Sequence, residues 1–498
     1  MSQYADTTST LYTGCEPSVL CDREGRIVAI GPEAKARAGG EVKLVEVEGR
    51  ALPGLGDTHI HLDELVLLRV GLDLRATHSR QEVLDAVRVA SRSTAPDGWI
   101  IGRGWNYSAW PQPQLPNRHD LDEAGEGRPV LLASKDEHSV WVSSSALQRA
   151  GIGKETPDPV DGVIDREPEG NPSGILREAW KLFAGMLPRP DPVEYQELLA
   201  SVLSELARLG LCTLHTMDPS EALFALQCLA EEDRLPLRVV VNLPVDNLGA
   251  AQQLGIRTGW GDARLRVWGI KAFVDGSLGS RTAEMLDGSG VARILDPALE
   301  DLIERCRAAE LNLCLHAIGD GAVHRALVAL ERHAGAWPGW RPRIEHAQCV
   351  DPDDIPRFLR AGAIASMQPI HAVADRTMAD SVWGKSAANA YAWGRLADAG
   401  VPLAFGSDAP VESPDPLLGI DAATGWRSRV GWYPELALSE AGALDAYTVG
   451  VAFAAGLERE CGRLAPGYRC DLTVVNGDRV VATVVDGRLV YGLGMAVG

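Results

Sequence analysis

The stretch ALPGLGDTHIHL, residues 51–62, sets the first expectation about the fold, because its short apolar run ends on two histidines. Alternate residues of a β-strand point to the same side, so His59 and His61 are predicted to face one point. If the strand belongs to a parallel barrel, that point lies at the mouth where active sites of such barrels are built. For this motif taken alone, a pair of surface or hydrogen-bonded histidines is the alternative.

Seven further apolar runs follow this stretch along the chain. They are LCTLHTM (211–217), RVVVNLPV (238–245), VWGIKAFVDG (267–276), LNLCLHAIGD (311–320), RIEHAQCV (343–350), GAIASMQP (362–369) and PLAFGSDAP (402–410). Amphipathic stretches separate them, such as EYQELLASVLSELARLG (194–210), whose apolar residues recur at helical spacing before a glycine. Eight strands alternating with helices predict an α/β fold, a (β/α)8 TIM barrel.

Four of these runs carry a polar residue suited to a metal site: Lys271, His316, His346 and Asp408. Residues 316 and 346 are 30 positions apart, which is one βα unit, and 346 to 408 leaves room for one intervening strand. The residues therefore fall on strands four, five, six and eight. Each taken singly is equally well a buried group that completes hydrogen bonds, but their repetition favours one shared site.

Imidazole and carboxylate ligands suit zinc and related divalent ions. Such an ion lowers the pKa of its bound water to about 7 and polarises a carbonyl. Asp408 is the predicted proton shuttle, taking the proton of the water and returning it to a leaving nitrogen. We therefore expect one or two zinc ions and hydrolytic chemistry.

Lys271 is the unusual member of this set, because an ammonium group would be repelled by the cations. A neutral amine can react with carbon dioxide to give a carbamate whose two oxygens bridge two metals. The alternative is an ammonium that pairs with Asp275 or Asp408, with one metal held by the histidines. Two metals per chain would favour the carbamate.

The two ends of the chain differ from this pattern. Residues 1–52 and 455–498 contain short runs broken by Gly and Pro, which predict small antiparallel strands that combine into one composite β-sandwich. The barrel is expected to span 53–75 and 191–454. The intervening 76–190 is too long for one βα unit and is rich in Trp, Pro and Gly, so it is predicted to form an insertion lobe over the active site.

The composition limits the kinds of binding partner and the cellular compartment that we expect. A net charge of -20 disfavours nucleic acid and anionic membranes and fits a small neutral or cationic substrate. Neither a long apolar run nor a signal-like N-terminus occurs, so a cytoplasmic protein is expected. Nine cysteines without a CxxC pair predict reduced thiols rather than disulfides. A homodimer is the commonest assembly of soluble enzymes and is open to this chain.

The motifs together resemble the amidohydrolase superfamily, and within it the YtcJ-like (amidohydrolase 3) branch. The resemblance rests on PGLGDTHIHL (53–62), KAFVDGSLGSRTA (271–283), LHAIGDGA (315–322), RIEHAQ (343–348), SMQPIHAVAD (366–375) and GSDAPVESPDPLLGI (406–420). It extends to the C-terminal AYTVGVAFAAG (446–456), GRLAPGYRCDLTVV (462–475) and VDGRLVY (485–491). It therefore spans nearly the whole chain.

The resemblance implies a zinc-dependent hydrolase of carbon–nitrogen bonds in amides, cyclic amides or N-substituted formamides. It implies the metal ligands His59, His61, Lys271, His316, His346 and Asp408. Residues expected to contact the substrate are His138, Trp141, Glu178, Asp275, Arg281 and His371, for which packing or loop capping is the alternative. A deaminase of the same superfamily and a barrel without catalytic activity are the two alternative functions.

Overall fold

The chain folds into two compact units, each assembled from separate stretches of sequence. The computed structural model describes residues 9–39, 42–159, 162–183, 185–218 and 220–495. Unit 1 comprises residues 1–63, 195–274 and 294–498, and unit 2 comprises 64–194 and 275–293. The predicted boundaries of barrel, sandwich and lobe stay a prediction.

Unit 1 contains eight parallel strands in one sheet, in the order of the sequence. They are β1 (Leu55–Ile60), β2 (Leu211–Thr216), β3 (Arg238–Pro244), β4 (Leu265–Phe273), β5 (Asn312–Ala317), β6 (Arg343–His346), β7 (Ile364–Met367) and β8 (Leu403–Phe405). Every residue of β1, β2, β5, β6 and β7 is buried, as expected for parallel strands that are covered on both faces. The predicted eight-stranded barrel is confirmed.

Helices connect the strands, as a parallel barrel requires. Starting with the helix that precedes β2, the helices are, in chain order, Pro192–Arg208, Ser220–Glu231, Leu248–Leu254, Asp296–Ala308, Asp320–Glu331, Ile355–Ala361, His371–Val382, Trp393–Asp398, Pro416–Ala423, Gly425–Val430, Glu440–Tyr447 and Val449–Ala454. The helix Pro192–Arg208 buries its apolar stripe and ends just before Gly210. Gly210 has a φ of +89°, and a Cβ there would meet the Thr473 side chain, so glycine is required at this turn.

The barrel closes where β8 meets β1. Ile60 and Ala409 form a parallel bridge, and the backbone N–H of Asp408 donates to the His59 carbonyl at 2.7 Å. The Asp57 carboxylate accepts from the Ser407 hydroxyl at 2.5 Å. These contacts place the end of the last strand against the end of the first.

Both chain ends contribute to a second sheet of unit 1. Its strands, in spatial order, are Arg488–Gly492, Arg479–Val485, Leu472–Asn476, Val42–Pro53, Ser9–Glu16, Val19–Cys21 and Ile27–Ile30. Tyr12 and Val19 from the N-terminal part share a buried core with Leu472 and Val484 from the C-terminal part. The composite domain is confirmed, but Ser9–Glu16 pairs in parallel with Val42–Pro53, so the expectation of purely antiparallel strands was wrong for this pair.

Unit 2 is built around a six-stranded mixed sheet. Its strands are Val163–Arg166, Pro172–Arg177, Ser139–Val142, Val130–Ser134, Ile100–Trp105 and Leu72–Asp73, with helices Arg80–Ser91, Arg118–Ala124 and Ser144–Arg149. The insertion predicted after the first barrel strand is confirmed. Residues 275–293, which follow β4, also belong to this unit, and the sequence pattern did not indicate that.

The cysteines and the helices can also be compared with what the composition suggested. All nine cysteines are free, and only Cys228 is not fully buried. Within the described residues, every helix is too short or too polar to cross a membrane.

A buried arginine links the barrel to the composite domain within unit 1. Arg238, which opens β3, is fully buried, and its guanidinium lies 2.8 Å from Asp486 and 3.3 Å from Asp471. Removal of one partner from a buried ion pair leaves an uncompensated charge. This cluster therefore makes the folded state sensitive to Arg238.

We expect Arg238→Met to lower the free energy of unfolding by about 3–5 kcal/mol, because the buried carboxylate of Asp471 loses its cation. The measurement is urea unfolding followed by circular dichroism. The matched control is Arg234→Met, since Arg234 pairs with Glu197 at 2.8 Å on the surface and exposed pairs contribute about 0–1 kcal/mol. Equal losses in the two variants would contradict the assignment.

Candidate metal centre

The six predicted metal ligands all lie in unit 1, at the C-terminal ends of barrel strands. His59 lies on β1, Lys271 on β4, His316 on β5 and His346 at the end of β6. His61 and Asp408 lie just beyond β1 and β8. This is the end of a barrel where active sites are built.

His59, His61 and Asp408 form the centre of the cluster. Each offers one ligand atom, and these three atoms lie within 4.8 Å of one another. Oδ1 of Asp408 is 3.1 Å from Nε2 of His61 and 3.6 Å from Nε2 of His59. Two imidazoles and a carboxylate at this separation can hold a divalent cation.

The other three candidates adjoin this centre. The ring of His346 lies 4.7 Å from that of His59 and 4.5 Å from that of His316, centre to centre. Nζ of Lys271 is 3.2 Å from Nε2 of His59. The Nδ1 atom of His346 is buried and lacks a hydrogen-bond partner among the described residues. A buried imidazole nitrogen without a partner fits a site that holds a cation.

The ligands of the cluster differ in their electrostatics: burial opposes the charge on His61, but the hydrogen bond and charge of Asp408 raise the pKa of His61. Burial, and then the charge of Lys271, lower the pKa of His59 to about 4, so its imidazole is neutral at pH 7. Burial also lowers the pKa of His346 well below its ordinary value. Burial alone would raise the pKa of Asp408, but its interactions with the imidazoles of His59 and His61 hold that pKa well below the ordinary range. Neutral imidazoles beside an ionised carboxylate are the forms that bind metals.

The backbone is constrained where the ligands project. His346 has a φ of +72° and Asp408 a φ of +60°, both in the left-handed region that side chains rarely adopt. A Cβ at Gly406 would lie 2.7 Å from the backbone nitrogen of His59, so only glycine allows this approach of β8 to β1. Strained positions of this kind concentrate at functional sites.

The site contains polar residues that the sequence analysis missed. Oε2 of Glu345 is 2.7 Å from Nδ1 of His59, and Oε1 of Glu345 is 2.7 Å from Nε of Arg343. Arg343, Glu345 and His59 are almost completely buried. The available signal was the spacing in RIEH, since Arg343 and Glu345 alternate along a strand and share one side.

His371 is the one predicted substrate residue that lies in unit 1. Its Nε2 is 3.2 Å from the Ser407 carbonyl oxygen and 3.7 Å from Oδ2 of Asp408. Its Nδ1 is 3.3 Å from the side-chain nitrogen of Gln348. The structure therefore places His371 next to the predicted proton shuttle.

His138 and Glu178 meet within unit 2. Nδ1 of His138 is 2.7 Å from Oε1 of Glu178, which also accepts from the Thr282 hydroxyl at 3.1 Å. Oε2 of Glu178 accepts from Arg293 at 3.0 Å. Burial opposes the charge on His138, but Glu178 raises the pKa of His138 to about 9. The pair is therefore an imidazolium and a carboxylate at neutral pH.

The remaining predicted substrate residues are also in unit 2 but differ in exposure. Trp141 is fully buried in the core, and its indole N–H donates to the Asn117 carbonyl at 2.8 Å. Asp275 is buried and accepts from the backbone N–H of Glu284 at 2.9 Å. Arg281 is exposed. The placement of Trp141 favours the packing alternative, and the substrate contacts stay a prediction.

The chain matches known proteins along most of its length. A model of the amidohydrolase family matches residues 47–491. The putative amidohydrolase YtcJ of Bacillus subtilis (strain 168) is 31% identical over 484 residues, covering 91% of each chain. The N-substituted formamide deformylase of Arthrobacter pascens is 26% identical over 523 residues, covering 96% of this chain and 95% of the relative.

A solved structure shows the same similarity. The uncharacterized metal-dependent hydrolase from Pyrococcus furiosus is 28% identical, with a TM-score of 0.72. The alignment covers 94% of this chain and 99% of that one. Sequence and fold thus agree on the same group of proteins.

We expect the His138–Glu178 pair to stabilise the fold most at low pH. The folded pKa of about 9 exceeds the ordinary 6.5, so the contribution is complete below pH 6.5 and is lost as pH rises through about 9. The difference between these two pKa values corresponds to about 3 kcal/mol of folding free energy. His138→Gln should remove this part of the pH dependence in thermal unfolding between pH 6 and pH 10. His78→Gln, at an exposed position, is the control, and an unchanged profile in His138→Gln would refute the prediction.

Proposed function

The chain belongs to the amidohydrolase family, and from this premise we propose that it is a metal-dependent hydrolase of carbon–nitrogen bonds. The substrate we propose is a small amide, cyclic amide or N-substituted formamide. The observation that carries the proposal is the convergence of ligand atoms of His59, His61 and Asp408 within 4.8 Å. Family membership and the metal-dependent hydrolase neighbour support a hydrolytic enzyme with a divalent metal.

We assign the metal as zinc, with one or two ions per chain. The nitrogen and oxygen donors of the cluster, which are His59, His61, His316, His346 and Asp408, suit zinc. The unpartnered Nδ1 of His346 supports a cation at this point. A bound cation of this kind supplies Lewis acidity, which acidifies water and polarises a carbonyl.

Lys271 is the residue proposed to bridge two metals. It is buried, and burial lowers the pKa of its ammonium group, which favours the neutral amine. The amine nitrogen would form a bond to the carbon of carbon dioxide as one C=O π bond opens to an anionic oxygen, and the nitrogen would release one proton to solvent, which leaves a carbamate. The 3.2 Å contact of Nζ with His59 supports a position at the edge of the metal cluster.

Asp408 is proposed to handle the proton. Its Oδ1 contacts His61 at 3.1 Å and its Oδ2 is 3.7 Å from His371, so the carboxylate faces both a metal ligand and a candidate substrate residue. An ionised carboxylate in this place can accept the proton of the attacking water and deliver it to the leaving nitrogen. His371 is then placed to orient the carboxylate or the substrate.

The substrate class draws on chemistry and on one relative. The deformylase from Arthrobacter pascens acts on N-substituted formamides by its name, and this supports formamides for the present chain. The net charge of -20 supports a small neutral or cationic molecule over nucleic acid. We propose that His138, Glu178, Asp275 and Arg281 contribute to recognition of the substrate.

The proposal is tested by screening the zinc-loaded protein against N-acyl, N-formyl and cyclic amide libraries. We expect release of an amine with a carboxylate, or ring opening of a cyclic amide, detected by mass spectrometry. Release of ammonia alone from amines would instead favour a deaminase. Turnover of none of these compounds by protein with its full metal content would refute the proposal.

In the same assay we expect Asp408→Asn to lower kcat at least 100-fold while most of the zinc stays bound, since an amide cannot accept the proton. The control is Asp415→Asn, which replaces a carboxylate whose role is to cap the helix Pro416–Ala423. Full activity of Asp408→Asn would contradict the assigned role.

Metal content decides the role of Lys271. We expect two zinc ions per wild-type chain at ambient carbon dioxide and one in Lys271→Met, because the bridging carbamate is lost. The measurement is elemental analysis of dialysed protein, with the exposed Lys35→Met as control. One zinc per wild-type chain would count against a bridging lysine and favour the ammonium form.

A further inference from the structure

The orientation of His59 is set by a residue that is not one of the proposed metal ligands. Its Nδ1 lies 2.7 Å from Oε2 of Glu345. An ionised carboxylate only accepts hydrogen bonds, so Nδ1 must carry the proton. The lone pair of the neutral ring is then on Nε2, the atom that faces Asp408 at 3.6 Å and Lys271 at 3.2 Å.

We propose that Glu345, held in place by Arg343, is the positioning residue that fixes the tautomer of His59 and directs its Nε2 toward the metal. This inference rests on the proposed metal site. It adds two residues that neither bind the cation nor contact the substrate. Carboxylates in this position orient a metal-binding histidine and raise its basicity.

Glu345 cannot turn away from His59 without breaking a buried ion pair. Its second oxygen, Oε1, lies 2.7 Å from Nε of Arg343, and both side chains have zero exposure to solvent. One carboxylate oxygen therefore pairs with Arg343, and the other accepts the hydrogen bond from His59. Because the residues alternate along β6, their side chains extend from the same side of the strand.

Arg343 is itself fixed by three other barrel strands. Its Nη2 donates to the Thr58 carbonyl on β1 at 2.5 Å and to the Ser366 hydroxyl on β7 at 3.1 Å. Its Nη1 donates to Nδ1 of His215 on β2 at 2.8 Å. A guanidinium has a rigid fork of donors, so partners on four strands leave it one orientation. The position of Glu345 is thereby set by the barrel itself.

The chain offers a matched control for this arrangement. Asp354 is also a buried carboxylate that accepts from a histidine and an arginine, with His324 Nδ1 at 2.9 Å and Arg357 Nε at 2.8 Å. His324 is not among the proposed metal ligands. Loss of Asp354 therefore reports what a buried carboxylate with a partly exposed histidine and arginine contributes to folding alone.

The test is zinc affinity, measured by competition with a chromogenic chelator on metal-free protein. We expect Glu345→Gln to weaken zinc binding about 10- to 100-fold, because the amide lacks the charge that raises the basicity of His59. Asp354→Asn should bind zinc within threefold of wild type. Wild-type affinity in Glu345→Gln would overturn the inference, whereas absence of zinc binding in the wild type would overturn the proposed metal site and this inference with it.

A second measurement needs no variant of Glu345 to fold. In the long-range ¹H–¹⁵N spectrum of metal-free wild-type protein, we expect the His59 signals to show the Nδ1–H tautomer. His59 is assigned by the signal that disappears in His59→Asn. An Nε2–H tautomer would refute the positioning role, whatever the behaviour of the variants.

Discussion

The closure of the barrel between β8 and β1 is the constraint on which the site depends. His59 lies on β1 and Asp408 lies just beyond β8, and their side chains meet because the ends of these strands are joined. Asp57 makes the join by accepting from the Ser407 hydroxyl at 2.5 Å and from the backbone nitrogens of Ser407 and His59 at 3.1 and 2.9 Å. The carboxylate thus fixes His59 itself and the residue directly before Asp408. The relative position of these two residues is therefore set where the first and last strands meet.

Below the ligands, the barrel interior contains a charged network where apolar packing would be expected. Taking a guanidinium and a carboxylate out of water costs several kcal/mol for each ion, and well-packed hydrophobic residues of similar volume often stabilise a fold at least as well. The network of Arg343 and Glu345 is therefore poorly explained as a device for stability. Its contacts with His59, Thr58 and His215 instead connect the barrel strands to the orientation of a metal ligand.

The sequence predicted the parts of the molecule whose signals are local. A polar residue that ends an apolar run can be recognised from the sequence alone, and His316, His346 and Asp408 were predicted as ligands in this way. Glu345 was not predicted to belong to the site. It lies beside His346 in a segment that was assigned to a buried strand, and its partner His59 is distant in the sequence. The assignment of residues 275–293 to unit 2 depends on contacts such as Ser277 with Asp136 at 2.8 Å, which no periodicity encodes. Features with a local sequence signal were predicted, whereas features that depend on contacts between distant segments were not.

The distribution of candidate residues between the units bears on how function is encoded. All six proposed metal ligands come from unit 1, whereas five of the six proposed substrate residues come from unit 2. The metal ligands are tied to the strands that hold the barrel together, so substitutions there act on folding and chemistry at once. The charged group of His138, Glu178 and Arg293 depends on unit 2 alone. Membership in a family sets the reaction type more firmly than the substrate.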